Sequence, residues 1–83
     1  MNSKLETLHI IFDMVKNKRQ PTSVVVPGNE LILSQKGAWD EIVKNLNELH
    51  ENGYVQLQQV STMFVSITEK GFDYMSKYVS AYR

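Results

Sequence analysis

The sequence predicts a small α+β domain, and three observations support that fold class. Apolar residues recur at three- and four-residue steps in three long segments, which is the pattern of amphipathic helices. Two short segments between the second and third of these alternate apolar and polar residues, as the strands of a β-hairpin do. The length of 83 residues suits one domain, so we assign residues 1–83 to a single unit with three to four helices and a small antiparallel sheet.

The first helix is predicted from about Ser3 to Asn17. Its inner face is marked by apolar residues at helical spacing: Leu5, Leu8, Ile11, Phe12 and Val15. The segment ends in a basic cluster of Lys16, Lys18 and Arg19, where cations suit the negative end of the helix dipole. Pro21 then closes the segment, because the residue before a proline is disfavoured in helical conformation.

The segment after Pro21 is less regular. Three consecutive valines between Thr22 and Pro27 predict a short extended strand at the edge of a sheet, paired with a later strand. Pro27 and Gly28 end that strand. The stretch from Asn29 to Ser34 fits either a short helix or a second strand of a hairpin, because periodicity cannot decide over so few residues. We favour the helix.

The next helix is predicted from about Ala38 to Glu51. Its inner stripe consists of apolar residues one turn apart: Ile42, Leu46 and Leu49. Trp39 and Val43 flank that stripe. Gly53 ends the helix, since glycine readily takes the left-handed conformation of a C-terminal cap.

Two strands and a last helix complete the chain. The strands are predicted over Tyr54–Gln58 and Met63–Ile67, with the turn at residues 59–62. The last helix is predicted over about residues 68–82, with Phe72, Met75 and Val79 on its inner face. Tyrosines at four-residue steps form an adjacent aromatic stripe on it: Tyr74, Tyr78 and Tyr82.

Two stretches resemble the winged-helix variant of the helix-turn-helix. The stretch from Ile42 to Val55 is similar to the recognition helix of MarR-like and PadR-like regulators and to its exit, through a glycine and a bulky residue, into the first wing strand. The stretch Ile67-Thr68-Glu69-Lys70-Gly71 is similar to the step from the second wing strand into the final helix. The resemblance covers about Ser34 to Tyr78. It implies a winged helix-turn-helix fold and a small DNA-binding regulator of transcription that acts as a homodimer on duplex DNA.

The resemblance implies a set of DNA contacts. A recognition helix lies in the major groove, so its exposed side chains would meet base edges and phosphates. On the exposed face of the recognition helix and just before it, these are Gln35, Lys36, Trp39, Asp40, Val43, Lys44 and Asn47. Gln35 and Asn47 could read adenine, and Lys44 could reach guanine or a phosphate. The basic cluster Lys16, Lys18 and Arg19 could contact flanking phosphates.

Charge opposes the DNA interpretation. Nine basic residues balance nine acidic residues over the chain. Between Gln35 and Glu51 two lysines face four carboxylates, a net charge of −2, whereas DNA affinity depends largely on cations. The predicted wing turn has no Arg or Lys, and the segment from Val24 to Gln35 departs from the usual supporting helix. The alternative is a winged-helix module, an adaptor or inhibitor, that binds another protein.

Asp40 and Glu41 also have two interpretations, as do the larger aromatic residues. The two carboxylates either stabilise the positive end of the helix dipole or accept a hydrogen bond from cytosine. Trp39 either packs in the core or contacts a partner. The three tyrosines of the last helix either cover the domain's own core or, as the terminal helices of MarR-like dimers imply, form a dimer interface.

Catalytic and metal-binding chemistry is not expected. The chain has no cysteine, which excludes disulfides and thiolate sites. His9 and His50 have no close His, Cys or paired-carboxylate partner in sequence, and the glycines form no phosphate-binding loop. We therefore expect no enzyme, cofactor or metal site. No apolar run reaches the ~18–20 residues of a membrane span, and the N-terminal residues do not resemble a secretion signal, so we expect a cytoplasmic protein without membrane contact.

Overall fold

The structure is a computed structural model that describes residues 3–34, 38–59 and 62–81. In these ranges the chain forms four α-helices, one 3-10 turn and three short strands. Their bounds are α1 Ser3–Val15, the 3-10 turn Pro21–Ser23, β1 Val26–Pro27, α2 Gly28–Ser34, α3 Trp39–Glu51, β2 Val55–Gln59, β3 Met63–Ile67 and α4 Glu69–Ala81. None of the helices in these ranges combines the length and apolarity needed to cross a bilayer.

The extended strand expected between Thr22 and Pro27 is largely wrong. Residues Pro21–Ser23 form a 3-10 turn, in which the Ser23 N–H donates to the Gln20 carbonyl at 3.0 Å. Proline suits the first position of such a turn because its φ is already restricted to the helical range. Only the last part of the segment, Val26–Pro27, is a strand, and it does pair with a later strand, as expected.

The ambiguous segment after Pro27 is a helix. It begins at Gly28 and ends at Ser34, which confirms the helical interpretation of Asn29–Ser34 and excludes a hairpin around Pro27 and Gly28. A short supporting helix therefore does precede α3, despite the apolar composition of the segment.

The sheet is antiparallel, with the strand order β1-β3-β2. In β1, Val26 lies opposite Val65 and Pro27 lies opposite Phe64. The Thr68 N–H donates to the Tyr54 carbonyl at 3.0 Å. Hydrogen-bonded pairs alternate along an antiparallel ladder, and Phe64 lies four residues before Thr68. Phe64 therefore directs its N–H and C=O groups toward β2 rather than β1. Pro27 therefore lies at a position of β1 that donates no hydrogen bond to β3. An edge strand tolerates proline at such a position.

The core lies between the helices and the inner face of the sheet. It consists of Leu8, Ile11, Phe12, Val15, Val26, Leu31, Ile42, Leu46, Leu49, Val55, Val65, Ile67 and Met75, all buried. A buried polar contact crosses it: Asn45 Nδ2 in α3 donates to Thr7 Oγ1 in α1 at 3.1 Å. A polar contact of this kind favours one alignment of the two helices, because a shifted alignment would break a buried hydrogen bond.

The order of helices and strands and the order of the sheet define a winged helix-turn-helix domain of the α+β class. Helices α2 and α3 form the helix-turn-helix, and β2 and β3 form the wing. The expected fold class is confirmed. No described feature distinguishes one winged-helix family from another.

The junction between α3, the wing and α4 shows why threonine and glycine occupy their positions in the stretch from Ile67 to Gly71. Gly53 has a φ of 80°, the left-handed conformation that glycine adopts without strain. Thr68 Oγ1 donates to the Gly53 carbonyl at 2.6 Å and accepts the Gly71 N–H at 3.0 Å, so it caps α4. A Cβ at Gly71 would collide with the Tyr54 carbonyl group. The end of α3 and the start of α4 are thereby held together.

We expect Gly71→Ala to destabilise the domain, although alanine favours helix over glycine. The new methyl group would force α4 away from the Tyr54 backbone, at a cost of roughly 2 kcal/mol, which lowers Tm by about 10 °C in a domain of this size. Thermal unfolding followed by circular dichroism measures the change. Lys77→Ala, at an exposed position of α4, is the control; equal Tm values for the two variants would contradict the close approach.

Candidate functional site

Helix α3 presents one side to solvent because its other side is buried. Ile42, Leu46 and Leu49 are buried as predicted, together with Asn45. On the opposite side the residues at steps of four, three and four positions are all exposed. We call this set the open face of α3: Asp40, Lys44, Asn47 and Glu51. It lies on the helix that leads directly into the wing.

The structure places only some of the expected DNA contacts on this face. Lys44 and Asn47 are exposed, one turn apart, and in the described part of the chain Lys44 makes no ion pair. Val43 is half-buried beside the open face. Gln35 and Lys36 lie outside the described residues. The donors described on this face are thus Lys44 and Asn47.

Trp39 occupies the first position of α3 and is both packed and exposed. The six-membered ring lies against α2, since a Cβ at Gly28 would be 3.0 Å from Trp39 Cη2. The side chain is nevertheless 39% exposed. A fully buried core position is therefore excluded, and part of the indole is accessible to a partner.

The charge of the site is acidic. Within α3, one cation, Lys44, stands against four carboxylates: Asp40, Glu41, Glu48 and Glu51. From Gly53 to Thr68, a stretch that includes both wing strands, the sequence contains no charged side chain. The two carboxylates of the first turn, Asp40 and Glu41, stabilise the positive end of the helix dipole in this position. The charge distribution therefore provides little attraction for a polyanion at α3 or the wing.

The basic cluster lies apart from α3 in the chain. Lys16, Lys18 and Arg19 are exposed after the end of α1, and Lys16 Nζ is 3.1 Å from Asp13 Oδ1. The 3-10 turn that follows packs on β3 and α4. The cluster therefore leads into a turn that packs on those elements, whereas Asn45 of α3 contacts α1 at Thr7, nearer the start of that helix.

The tyrosine stripe of α4 forms a column within the monomer. Tyr74 stacks on Tyr54 with ring centroids 5.0 Å apart, and on Tyr78 at 6.4 Å. Lys70 Nζ lies 5.2 Å from the Tyr54 ring centroid and donates to the Asn52 carbonyl at 2.9 Å. Tyr74 keeps 37% of its surface exposed and Tyr78 is half-buried; Tyr82 lies outside the described residues. The ring faces therefore contact one another, and Tyr74 retains some accessible surface.

The outer face of the sheet is a surface that the sequence patterns did not single out. Here a depression of about 240 Å³ is lined by Val25, Gln56, Leu57, Gln58, Phe64, Val65 and Ser66. Val25 is 51% exposed. The alternating strand pattern indicates that Gln56 and Gln58 point outward. Only the structure shows that Phe64, opposite Gln58, lies on the same face and that Val25 lines the same depression. Among the described residues, no group of three or more His, Asp or Glu side chains is arranged to hold a metal ion.

No model of a protein family matches the chain, and no curated protein matches it either.

We expect Gly28→Ala to displace the indole of Trp39, because the new Cβ would be too close to Cη2. As the chain has one tryptophan, its fluorescence reports this site directly. We expect a shift of the emission maximum to longer wavelength and stronger quenching by iodide. Asn29→Ala, at the exposed neighbouring position, should leave both unchanged; an unaltered spectrum in Gly28→Ala would show that the indole does not rest on α2.

Proposed function

We propose that this winged-helix domain binds duplex DNA through the open face of α3, as a small transcriptional regulator of the kind its sequence resembles in the MarR-like and PadR-like families. The observation that carries the proposal is the exposed pair Lys44 and Asn47 on the helix that leads into the wing. Such a helix fits the major groove, where lysine binds guanine or phosphate and asparagine binds adenine.

The remaining expected contacts have separate roles in this proposal. Lys36 and Gln35, just before α3, would contact the backbone and an adenine at the entrance of the groove. Trp39 and Val43 would provide apolar contacts, which suit the thymine methyl group. Lys16, Lys18 and Arg19 would bind phosphates outside the site.

A homodimer is part of the same proposal. Two copies related by a two-fold axis would present two α3 helices to the half-sites of a palindrome. The exposed surface of Tyr74, with Tyr78 on the same helix and Tyr82 beyond the described end of α4, is a contact that such a dimer could use.

A second candidate function is supported by the charge of α3. The four carboxylates of that helix and the uncharged wing favour a partner with a basic surface, which points to a protein. In that case the domain is an adaptor or inhibitor, and the exposed part of Trp39 is an apolar anchor at the edge of the contact.

A titration of the full chain with random-sequence duplex DNA distinguishes the two functions. DNA binding should appear at micromolar protein in low salt and should weaken by roughly a hundredfold between about 50 and 200 mM salt, if about four phosphates are contacted. Fluorescence of Trp39 measures binding at α3 itself. No change at tens of micromolar protein would reject the DNA function in favour of a protein partner.

We expect Lys44→Glu to reduce DNA affinity by more than about tenfold, because it replaces a phosphate- or base-binding cation with a repelled carboxylate. The exposed position should leave the Tm unchanged. Lys77→Glu makes the same charge change on α4, away from α3, and should have a much smaller effect. Equal affinities of Lys44→Glu and the unmodified protein would remove α3 from the interface.

A further inference from the structure

Strand β2 forms an edge of the sheet. In the strand order β1-β3-β2 its one neighbour among the described strands is β3. All five of its residues pair with β3, from Val55 opposite Ile67 to Gln59 opposite Met63. No described strand lies on the other side of β2, so that side is available to a further strand.

The phase of the ladder shows which backbone groups point to this free side. The hydrogen bond from Thr68 to Tyr54 marks that pair as hydrogen-bonded, so the residues of β2 that bond to β3 are Gln56 and Gln58. Val55, Leu57 and Gln59 direct their N–H and C=O groups to the free side.

His50 confirms this direction and covers one end of the edge. Its Nδ1 lies 3.2 Å from the Val55 carbonyl oxygen, and it donates to that oxygen in the tautomer with the proton on Nδ1. No other described side chain bonds to the backbone of β2 on this side. Leu57 and Gln59 therefore have both of their backbone groups uncovered on this side, whereas Val55 has only its N–H uncovered.

The edge lacks the protection that natural edge strands usually have. Lysines, other charged side chains, proline and bulges are the common means of preventing edge-to-edge pairing. Here neither a charged residue nor a proline occurs between Gly53 and Thr68, in a chain in which 22% of the residues are charged. The two exposed side chains that flank Leu57 are the neutral amides Gln56 and Gln58.

We propose that β2 pairs antiparallel with β2 of a second copy of this chain, about a two-fold axis at Gln58. In this register Leu57 of each copy lies opposite Gln59 of the other, and the two pairs exchange four backbone hydrogen bonds. The Val55 carbonyl, already bonded to His50, is not needed. The result is one continuous six-stranded sheet.

A second copy suits this edge better than a charged partner strand. Identical strands place neutral glutamines opposite each other, so no like charges meet across the axis. Extension of the sheet also stops at two copies, because the opposite edge of the sheet, β1, has two residues and one of them is Pro27. The proposal does not depend on DNA binding, and its interface is separate from the tyrosine column of α4.

Cysteine cross-linking tests the register, since the natural chain has no cysteine. Gln58→Cys would place two cysteines at a non-hydrogen-bonded pair with Cα atoms about 4.5 Å apart, within the range for a disulfide. Gln56→Cys is the matched control on the same strand and face. Its two copies would be about 13 Å apart, by the rise per residue of a strand. With oxidised glutathione we expect a disulfide-linked dimer of Gln58→Cys and at least tenfold less of Gln56→Cys.

Sedimentation equilibrium tests the same interface without a covalent cross-link. We expect the dimer fraction of the unmodified protein to increase with protein concentration. Gln58→Lys should raise the dissociation constant at least about fivefold, because two ammonium groups meet at the axis, whereas Gln56→Lys should change it much less. Circular dichroism checks that both variants keep the fold. A monomer at all concentrations, equal cross-linking of the two cysteine variants, or a dimer weakened by Tyr74→Ala but not by Gln58→Lys would each overturn the proposal.

Discussion

The structure depends on the contact between the end of α3 and the start of α4. Gly53 turns the chain out of α3, and Thr68 binds both the Gly53 carbonyl and the Gly71 N–H. Since Gly71 lies against the Tyr54 backbone, both ends of the wing are held at one point. The position of the wing relative to α3 follows from this junction, and with it the shape of the surface that a partner meets.

The burial of one side of α3 determines what the other side can do. Ile42, Leu46 and Leu49 pack inward, and Asn45 bonds to Thr7 of α1. The helix cannot rotate without exposing the apolar residues and breaking the buried hydrogen bond to Thr7, so Lys44 and Asn47 stay on the outside. Three of the four carboxylates of α3, Asp40, Glu41 and Glu51, are exposed as well. A nucleic-acid partner would thus be held by few cations and selected by close contacts, and a basic protein would meet a surface of complementary charge.

The sequence predicted the open face of α3 well, because that face is the complement of a stripe visible in the helical period. It predicted the remaining candidate residues less completely. Trp39 flanks the stripe and its exposure depends on the close approach of α2 at Gly28, which no local pattern reveals. The tyrosines of the last helix were recognised as a stripe, but the stacking of Tyr74 on Tyr54 joins residues twenty positions apart. The free edge of β2 depends on which strand lies beside it, and pairing is a tertiary property.

By itself the sequence determined the amphipathic helices, the hairpin, and the glycine and threonine positions of the junction. These features are encoded locally: periodicity, turn residues and caps act over a few neighbouring residues. Only the tertiary structure decided the conformation of the segment from Pro21 to Gly28, where three valines favour a strand. Pro21–Ser23 form a 3-10 turn instead, and only Val26 and Pro27 pair with β3. β-Propensity expresses how well a residue fits a sheet that already exists, so the strand extends only as far as its neighbour allows.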